Sequence, residues 1–306
     1  MGLKDIIRVG TRGSALSLRQ TDEVINALKV DLPNQIFEIC EVKTGGDLDK
    51  NTPLTGMGMG IFVNELERLL LERHIDMAVH SLKDVPTKQP DGLSIEIVGH
   101  RQDPRDVLVN RWKCTINDLP SGARVGTSSP RRTAQILNLR RDIITLPIRG
   151  NVETRIQKCS GVNYDGTILA AAGIARLGIT QHISEYLSPE SFVPAPGQGA
   201  LAVEFRCEDK YLVDMSKTIK DENTIRCVTA ERALLKTFGS GCQIPIAGYA
   251  QITSNRLVLN ARISNDDGTI LLSTQADGKV DNPLGIATEA YHRLIAMGAN
   301  DLLFDK

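Results

Sequence analysis

Nothing in this chain reads as a metal knuckle, a disulfide framework or a membrane span. Its six cysteines, at 40, 114, 159, 207, 227 and 242, form no CxxC pair and no cysteine–histidine pair, which argues against zinc and against a set of disulfides. No apolar run approaches the length needed to cross a bilayer. Met1-Gly2-Leu3-Lys4-Asp5 leads straight into a strand pattern instead of a secretory signal, so the cytoplasm is the expected location. A P-loop and a dinucleotide glycine pattern are both missing, which counts against nucleotide binding. A formal net charge of −1 offers no general surface for nucleic acid.

What the chain does have is length and a local surplus of arginine. Its 306 residues suffice for two or three domains, each with its own core. Arginine outnumbers lysine 22 to 14, and ten of those arginines fall between Arg101 and Arg155. Guanidinium groups grip carboxylate or phosphate through two parallel hydrogen bonds, so a basic segment in a neutral chain suggests a pocket for a small polyanion. A solvated face with ordinary ion pairs is the competing explanation.

Hydrophobic patterning predicts alternating strands and helices. Ile6–Thr11 reads as a buried strand, followed by Arg12-Gly13-Ser14 and a helix to about Lys29. Ile36–Val42 is a second strand, and 44–60 a glycine-rich polar loop, expected to be a mobile flap. Asn64–Arg73 is helical. Asp76–His80 is a strand that delivers Ser81-Leu82-Lys83-Asp84 at its carboxyl end, where ligand chemistry gathers in open α/β sheets. Leu93–Val98 is another strand, and 99–103 a crossing between domains.

The opening design then recurs. Val125-Gly126-Thr127 ends a strand, as Val9-Gly10-Thr11 does, and Ser128-Ser129-Pro130-Arg131-Arg132 opens a helix running to about Leu139. Ser129 suits an N-cap and Pro130 the first helical position; free N–H groups, the helix dipole and two arginines make an anion site there. Ile143–Ile148 leads to Arg149-Gly150-Asn151 and Arg155, and Tyr164–Ala170 leads to small residues and Arg176. Pro194–Gly199 is the second crossing, with Leu201–Phe205 returning to the first domain as a strand. Asp221 can cap a helix covering Thr224–Phe238; strands at 246–252, 257–263 and 270–276 and a helix at 284–297 follow.

Between that helix and the strands lies Gly239-Ser240-Gly241-Cys242-Gln243-Ile244-Pro245. A thiol on a tight glycine-flanked loop is sterically open, although a small hydrophobe packed under a loop is the commoner case for an isolated cysteine.

Together these stretches resemble the porphobilinogen deaminase family over essentially the whole chain. The segments that carry the likeness are VGTRGS near the start, VHSLKDVP at 79–86, DPRD at 103–106, VGTSSPRR at 125–132 and RGNVETR at 149–155, followed by AAAGIARLG at 170–178, PAPGQGA at 194–200, TAERA at 229–233 and GSGCQIP at 239–245. The resemblance implies two α/β domains similar to type II periplasmic binding proteins facing a cleft, with a small C-terminal α+β domain. The expected boundaries are 1–99 with 200–220, 100–199 and 221–306. It also implies the reaction: four porphobilinogen molecules are deaminated and joined head to tail, then released as hydroxymethylbilane with ammonia. The implied primer is one covalent dipyrromethane cofactor held by a thioether to Cys242. Porphobilinogen and the growing polypyrrole are the expected partners, with no nucleic acid or membrane. A monomer is expected, with hand-over of product to the next enzyme of tetrapyrrole synthesis.

Residue by residue, Asp84 matches the family's catalytic aspartate. Arg12, Arg131, Arg132, Arg149, Arg155 and Arg176 match its pocket arginines. Ser14, Gln20, Ser81, Lys83, Thr127, Ser128, Ser129, Asn151 and Gln198 complete the expected binding set. The chemistry agrees, since each added ring brings two carboxylates for arginine to grip. A fixed carboxylate beside a pyrrole N–H stabilises the cation left when the substrate amine departs. Two positions depart from the family pattern: Met59 stands where many relatives have a loop lysine, with Asp47 retained, and Pro130 replaces an aliphatic residue. Two other readings stay open at this stage. One is a binding protein that closes on an organic polyanion; the other is a transferase using Cys242 as an acyl carrier.

Overall fold

Strand β1 (Ile6–Arg12) buries Ile7 and Val9 on one face and passes through Ser14 into helix α1 (Ala15–Asp31). Then come β2 (Ile36–Val42), α2 (Asn64–Leu71), β3 (Met77–Ser81), a single 3-10 turn at Leu82–Asp84 and β4 (Leu93–Val98). The second run contains β5 (Asp106–Asn110), β6 (Arg124–Gly126), α3 (Pro130–Leu139), β7 (Ile144–Leu146), α4 (Val152–Lys158), β8 (Gly166–Ala170), α5 (Ala171–Arg176) and β9 (Glu185–Tyr186). The chain continues through β10 (Leu201–Arg206), α6 (Lys210–Lys217), α7 (Glu222–Thr237), β11 (Ile246–Thr253), β12 (Arg256–Ser264), β13 (Leu271–Lys279), α8 (Pro283–Ala296) and α9 (Asp301–Phe304). This computed structural model describes residues 5–42, 63–239 and 245–304. They divide into two compact units, Met1–Gln102 with Gly199–Ile225 and Asp103–Gln198 with Arg226–Lys306.

The first unit holds a five-stranded sheet in the order β2-β1-β3-β10-β4. β1 runs parallel to β2 and β3, whereas β10 is antiparallel to β3 and β4. Both faces are covered. Val24, Ile25 and Leu28 of α1, with Leu212 and Met215 of α6, pack on Ile7, Val9 and Val79. Leu66 and Leu70 of α2 cover the other face with Ala78 and Leu93.

The second unit repeats the plan, with order β7-β6-β8-β5-β9 and β5 antiparallel to both neighbours. In each sheet the strand ending Val-Gly-Thr stands second, its helix following directly. The shared glycine has a steric cause. A Cβ at Gly10 would lie 2.3 Å from Ile75 Cδ1, and one at Gly126 2.8 Å from Ile148 Cδ1. The same unit carries an antiparallel β11-β12-β13 sheet backed by α7 and α8, whose core includes Leu234, Phe238, Leu257, Leu259, Ile286 and Leu294. Two five-stranded α/β sheets and a small C-terminal α+β layer thus make up the described residues.

Several elements differ from expectation. β5 was read only as a polar motif and a crossing, yet every residue of Asp106–Asn110 is buried. The short helix α6 was not foreseen. α2 stops at Leu71 because Arg73 takes a left-handed φ of 62°, which ends the helical run.

Candidate functional site

In the first unit the expected residues come off the carboxyl ends of adjacent strands β1 and β3. Ser14 caps α1, its Oγ accepting the Ser17 N–H at 3.2 Å. Gln20, one turn and a half along α1 and almost wholly buried, donates from Nε2 to Ser81 Oγ at 2.7 Å, fixing the end of β3. The 3-10 turn that follows is anchored on both sides. Leu82 and Val85 are buried, and the Leu82 N–H donates to Ala200 O at 3.0 Å. Between these anchors Asp84 points outward and is exposed, and among the described residues its carboxylate has no hydrogen-bond or ion-pair partner. Lys83, next to it in sequence, and Arg12 at the end of β1 are half-buried and engaged in contacts of their own.

On the opposite face of β3 sits a buried polar cluster. His80 Nε2 lies 3.0 Å from Glu204 Oε2, and Glu67 of α2 is also buried. Burial first, and then the charge of Glu204, pushes the Glu67 carboxyl up to about 7 against an opposing pull from His80. Glu204 Oε1 has no hydrogen-bond partner among the described residues.

In the second unit the expected residues follow β6, β7 and β8, three neighbouring parallel strands. Ser129 caps α3, with Pro130 at its first turn, as its sequence requires. Thr127 Oγ1 accepts the Ser129 N–H at 3.2 Å. Ser128 Oγ donates to Ile148 O at 2.8 Å and accepts the Ile148 N–H at 3.0 Å, tying the ends of β6 and β7 together. Asn151 caps α4 by accepting the Thr154 N–H at 2.8 Å. Arg155 Nε donates to Gly150 O at 2.8 Å, and Arg149, Arg155 and Arg176 are half-buried around these strand ends. Serine, threonine and asparagine here hold backbone, and the cationic side chains are what they aim.

Arg131 and Arg132 are more deeply set than a rim of pocket arginines would be. Both are buried against Asp106 at the start of β5, at 2.7 Å from Arg131 Nη1 and 2.6 Å from Arg132 Nη2. Burial works to raise the Asp106 carboxyl, but the charges of Arg131 and Arg132, with hydrogen bonds from Arg131 and Gln198, hold it well below the usual range. Gln198 has no exposed surface and donates to Asp106 Oδ1 at 3.0 Å, so its part is played from behind the paired arginines. Asp106 is the functional residue missed in the sequence. Its signal was an acid heading an all-apolar run, Val107-Leu108-Val109, where a buried carboxylate demands cationic partners.

Glu231 of α7 was likewise passed over. Fully buried, it accepts the Gly197 N–H and the Ala250 N–H, each at 2.7 Å, and so joins the 194–199 crossing to the C-terminal sheet. Cys242 and the 44–60 loop, with Asp47 and Met59, lie outside the described residues. The flanks of the cysteine loop are defined: Gly239, two residues past the end of α7, has φ 87°, and Pro245, just before β11, is buried.

Both units therefore place cationic side chains and capped helix starts at the carboxyl ends of parallel strands, the chemistry of a protein that holds a small polycarboxylate. The comparisons with known proteins make this particular. The family model "Porphobilinogen deaminase, dipyromethane cofactor binding domain" matches residues 7–214, and its C-terminal-domain counterpart matches 225–296. A porphobilinogen deaminase from Alkaliphilus metalliredigens is 42% identical over 97% of this chain and 94% of its own length. Those from Oceanobacillus iheyensis (44%, covering 97% and 96%) and Listeria innocua (43%, covering 98% and 98%) are as similar. Among solved structures, a lipoprotein of the YaeC family from Enterococcus faecalis aligns with a TM-score of 0.42 at 12% identity, over 78% of this chain and 98% of that one, too distant a likeness to weigh. The chain belongs to the porphobilinogen deaminase family. That family is enzymatic, a transferase (hydroxymethylbilane synthase) of tetrapyrrole synthesis, and residues 7–214 form its dipyrromethane-binding portion.

The described residues suit such a group. Dipyrromethane carries several carboxylates, and the donors here are guanidinium-rich. Nε and Nη2 of Arg131 donate to no described residue, leaving one two-pronged edge for an acid.

Proposed function

We propose that this chain carries out the family's reaction with Asp84 as its catalytic group and Cys242 as the point of thioether attachment for a single dipyrromethane. When bound, the dipyrromethane supplies the pyrrole carbon from which the chain of rings grows. Loss of ammonia from porphobilinogen breaks a C–N bond, the electron pair leaving with nitrogen, and spreads positive charge to the pyrrole N–H. Asp84 stabilises that charge through its carboxylate and can take a proton there. The observation that carries this role is its exposed, partner-free carboxylate on a turn pinned by buried Leu82 and Val85. The pinned turn fixes where that carboxylate is presented, which electrostatic stabilisation of a developing charge requires.

Arg12, Lys83, Arg131, Arg149, Arg155 and Arg176 bind carboxylates of substrate and polypyrrole. Ser14, Thr127, Ser128, Ser129 and Asn151 hold the strand ends and helix starts that aim them. Gln20 fixes Ser81, while Arg132 and Gln198 support from behind. The domain boundaries 1–99 with 200–220, 100–199 and 221–306 belong to the same reading, as do a cytoplasmic monomer and hand-over of product. Among the described residues no helix is long and apolar enough to cross a membrane.

Asp84→Asn should retain the wild-type melting temperature and slow ring addition by about 10²–10⁴-fold. Intact-protein mass spectrometry run alongside should find a two-ring adduct on wild type that resists hydroxylamine and is missing from Cys242→Ser. Near-normal turnover of Asp84→Asn would return Asp84 to a structural role, and an active enzyme without adduct would refute the attachment.

A further inference from the structure

Asp106 lies where three elements converge, and its hydrogen bonds treat the two neighbouring arginines unequally. Oδ2 accepts from Nη1 of Arg131 at 2.7 Å, and that same nitrogen donates to Val193 O at 2.8 Å, so both its hydrogens are committed. Oδ1 accepts from Nε and Nη2 of Arg132 at 3.0 and 2.6 Å, and Nη1 of Arg132 donates to Ile168 O at 3.1 Å. Every nitrogen of Arg132 therefore already donates inward. Gln198 closes the group: Nε2 donates to Asp106 Oδ1 at 3.0 Å and to Pro104 O at 2.7 Å, and Oε1 accepts from Arg132 Nη2 at 3.5 Å. Only Nε and Nη2 of Arg131 have no described acceptor, and 7% of that side chain stays exposed.

The charges point the same way. Two guanidiniums share one carboxylate that has no exposed surface, so the cluster keeps one net positive charge. Without the carboxylate, two buried cations would repel each other, and each would be held by a single backbone oxygen, Val193 O for Arg131 and Ile168 O for Arg132, besides Gln198 Oε1 for Arg132. A guanidinium edge made of Nε and Nη2 matches the two oxygens of one carboxylate, the strong two-pronged geometry.

We propose that Asp106 is a positioning residue for carboxylate recognition. It draws Nη1 of Arg131 and all of Arg132 inward, so that the Nε–Nη2 edge of Arg131 is the face offered to one acidic arm of the polypyrrole. Arg131 reads the ligand, and Arg132 braces the reader. This inference rests on the function proposed above, for it needs an acidic ligand at this end of β6.

The test is a double-mutant cycle in the full-length enzyme, read as KM for porphobilinogen, as the fraction of purified chains carrying the two-ring adduct, and as melting temperature. Asp106→Asn should raise KM about tenfold and lower the loaded fraction when assayed well below its melting point. In a chain already carrying Arg131→Leu the same change should alter KM by less than about twofold, because the edge it aims is gone. Should Asp106→Asn not fold, Gln198→Met removes one hydrogen bond to Asp106 without changing charge, and about a threefold rise in KM is expected, again lost in the Arg131→Leu background. A purely structural Asp106 would lower the melting temperature, leaving KM and loading at wild-type values or effects that simply multiply across backgrounds, and either result overturns the proposal. An active wild type without adduct would overturn the cofactor reading instead, before any variant is compared.

Discussion

Glu67 shows how burial writes a pH dependence into single residues. Its carboxyl is pushed from 4.5 up to about 7, first by burial and then by Glu204, so between those values the folded chain holds a proton that the unfolded chain has released. Stability contributed by the neutral acid is therefore present below about pH 4.5 and lost as pH rises toward 7. Glu67→Gln should flatten that loss, gaining about 1–2 kcal/mol over wild type at pH 7.5 after allowing for solvent screening, and nothing at pH 4.5. Urea unfolding at the two pH values measures it, and equal gains at both would remove Glu67 as the cause. At this scale much of the site was legible, because Asp84, Ser129 and Asn151 sit at strand ends and helix starts marked by local sequence. Depth was not. Whether Arg131 faces solvent or Asp106 depends on a strand 20 or more residues away, which no local pattern reveals.

Single elements meet through very few atoms. The turn between β12 and β13 brings Gly268, at φ 67°, against α3, where a Cβ would lie 2.1 Å from Ala134 O. Arg141 Nη2 donates to Gly268 O at 2.8 Å and Asn138 Nδ2 at 3.3 Å, so the end of α3 and the residues after it clasp this turn. Gly268→Ala combines backbone strain with a backbone clash and should cost about 2–4 kcal/mol, read by chemical denaturation. An unchanged midpoint would mean that the turn does not dock on α3 in solution. Asp267-Gly268 announced the hairpin, and the periodicity of α1, α3 and β11–β13 located them to within a few residues. β5 and α6 escaped because both are short: β5 has only three apolar residues between Asp106 and Asn110, and eight residues of mixed character give too short a helical period.

Across the whole molecule, Glu231 is the residue that joins parts distant in sequence, since one carboxylate serves both Gly197 and Ala250. In Glu231→Gln one oxygen becomes a donor, and one buried N–H is left facing it. The expected loss is about 1–3 kcal/mol, with faster hydrogen exchange at the Gly197 or Ala250 amide. Protection and melting temperature both unchanged would show the junction to be held elsewhere. The two-sheet plan was foreseeable from the repeated Val-Gly-Thr and helix start. The return of β10 was foreseen too, but not its place between β3 and β4, because sheet order depends on which edges pair rather than on composition.

That inserted strand bears on how the protein is made. A chain emerging from the ribosome exposes β1 to β4 long before β10 exists, and until then β3 and β4 have no neighbour to join them. All five strands of the next sheet, Asp106 through Tyr186, are translated in one uninterrupted stretch. Vectorial synthesis therefore delivers every strand of the second five-stranded sheet before the first sheet is complete, and β3 and β4 wait to be joined by a strand encoded about a hundred codons downstream.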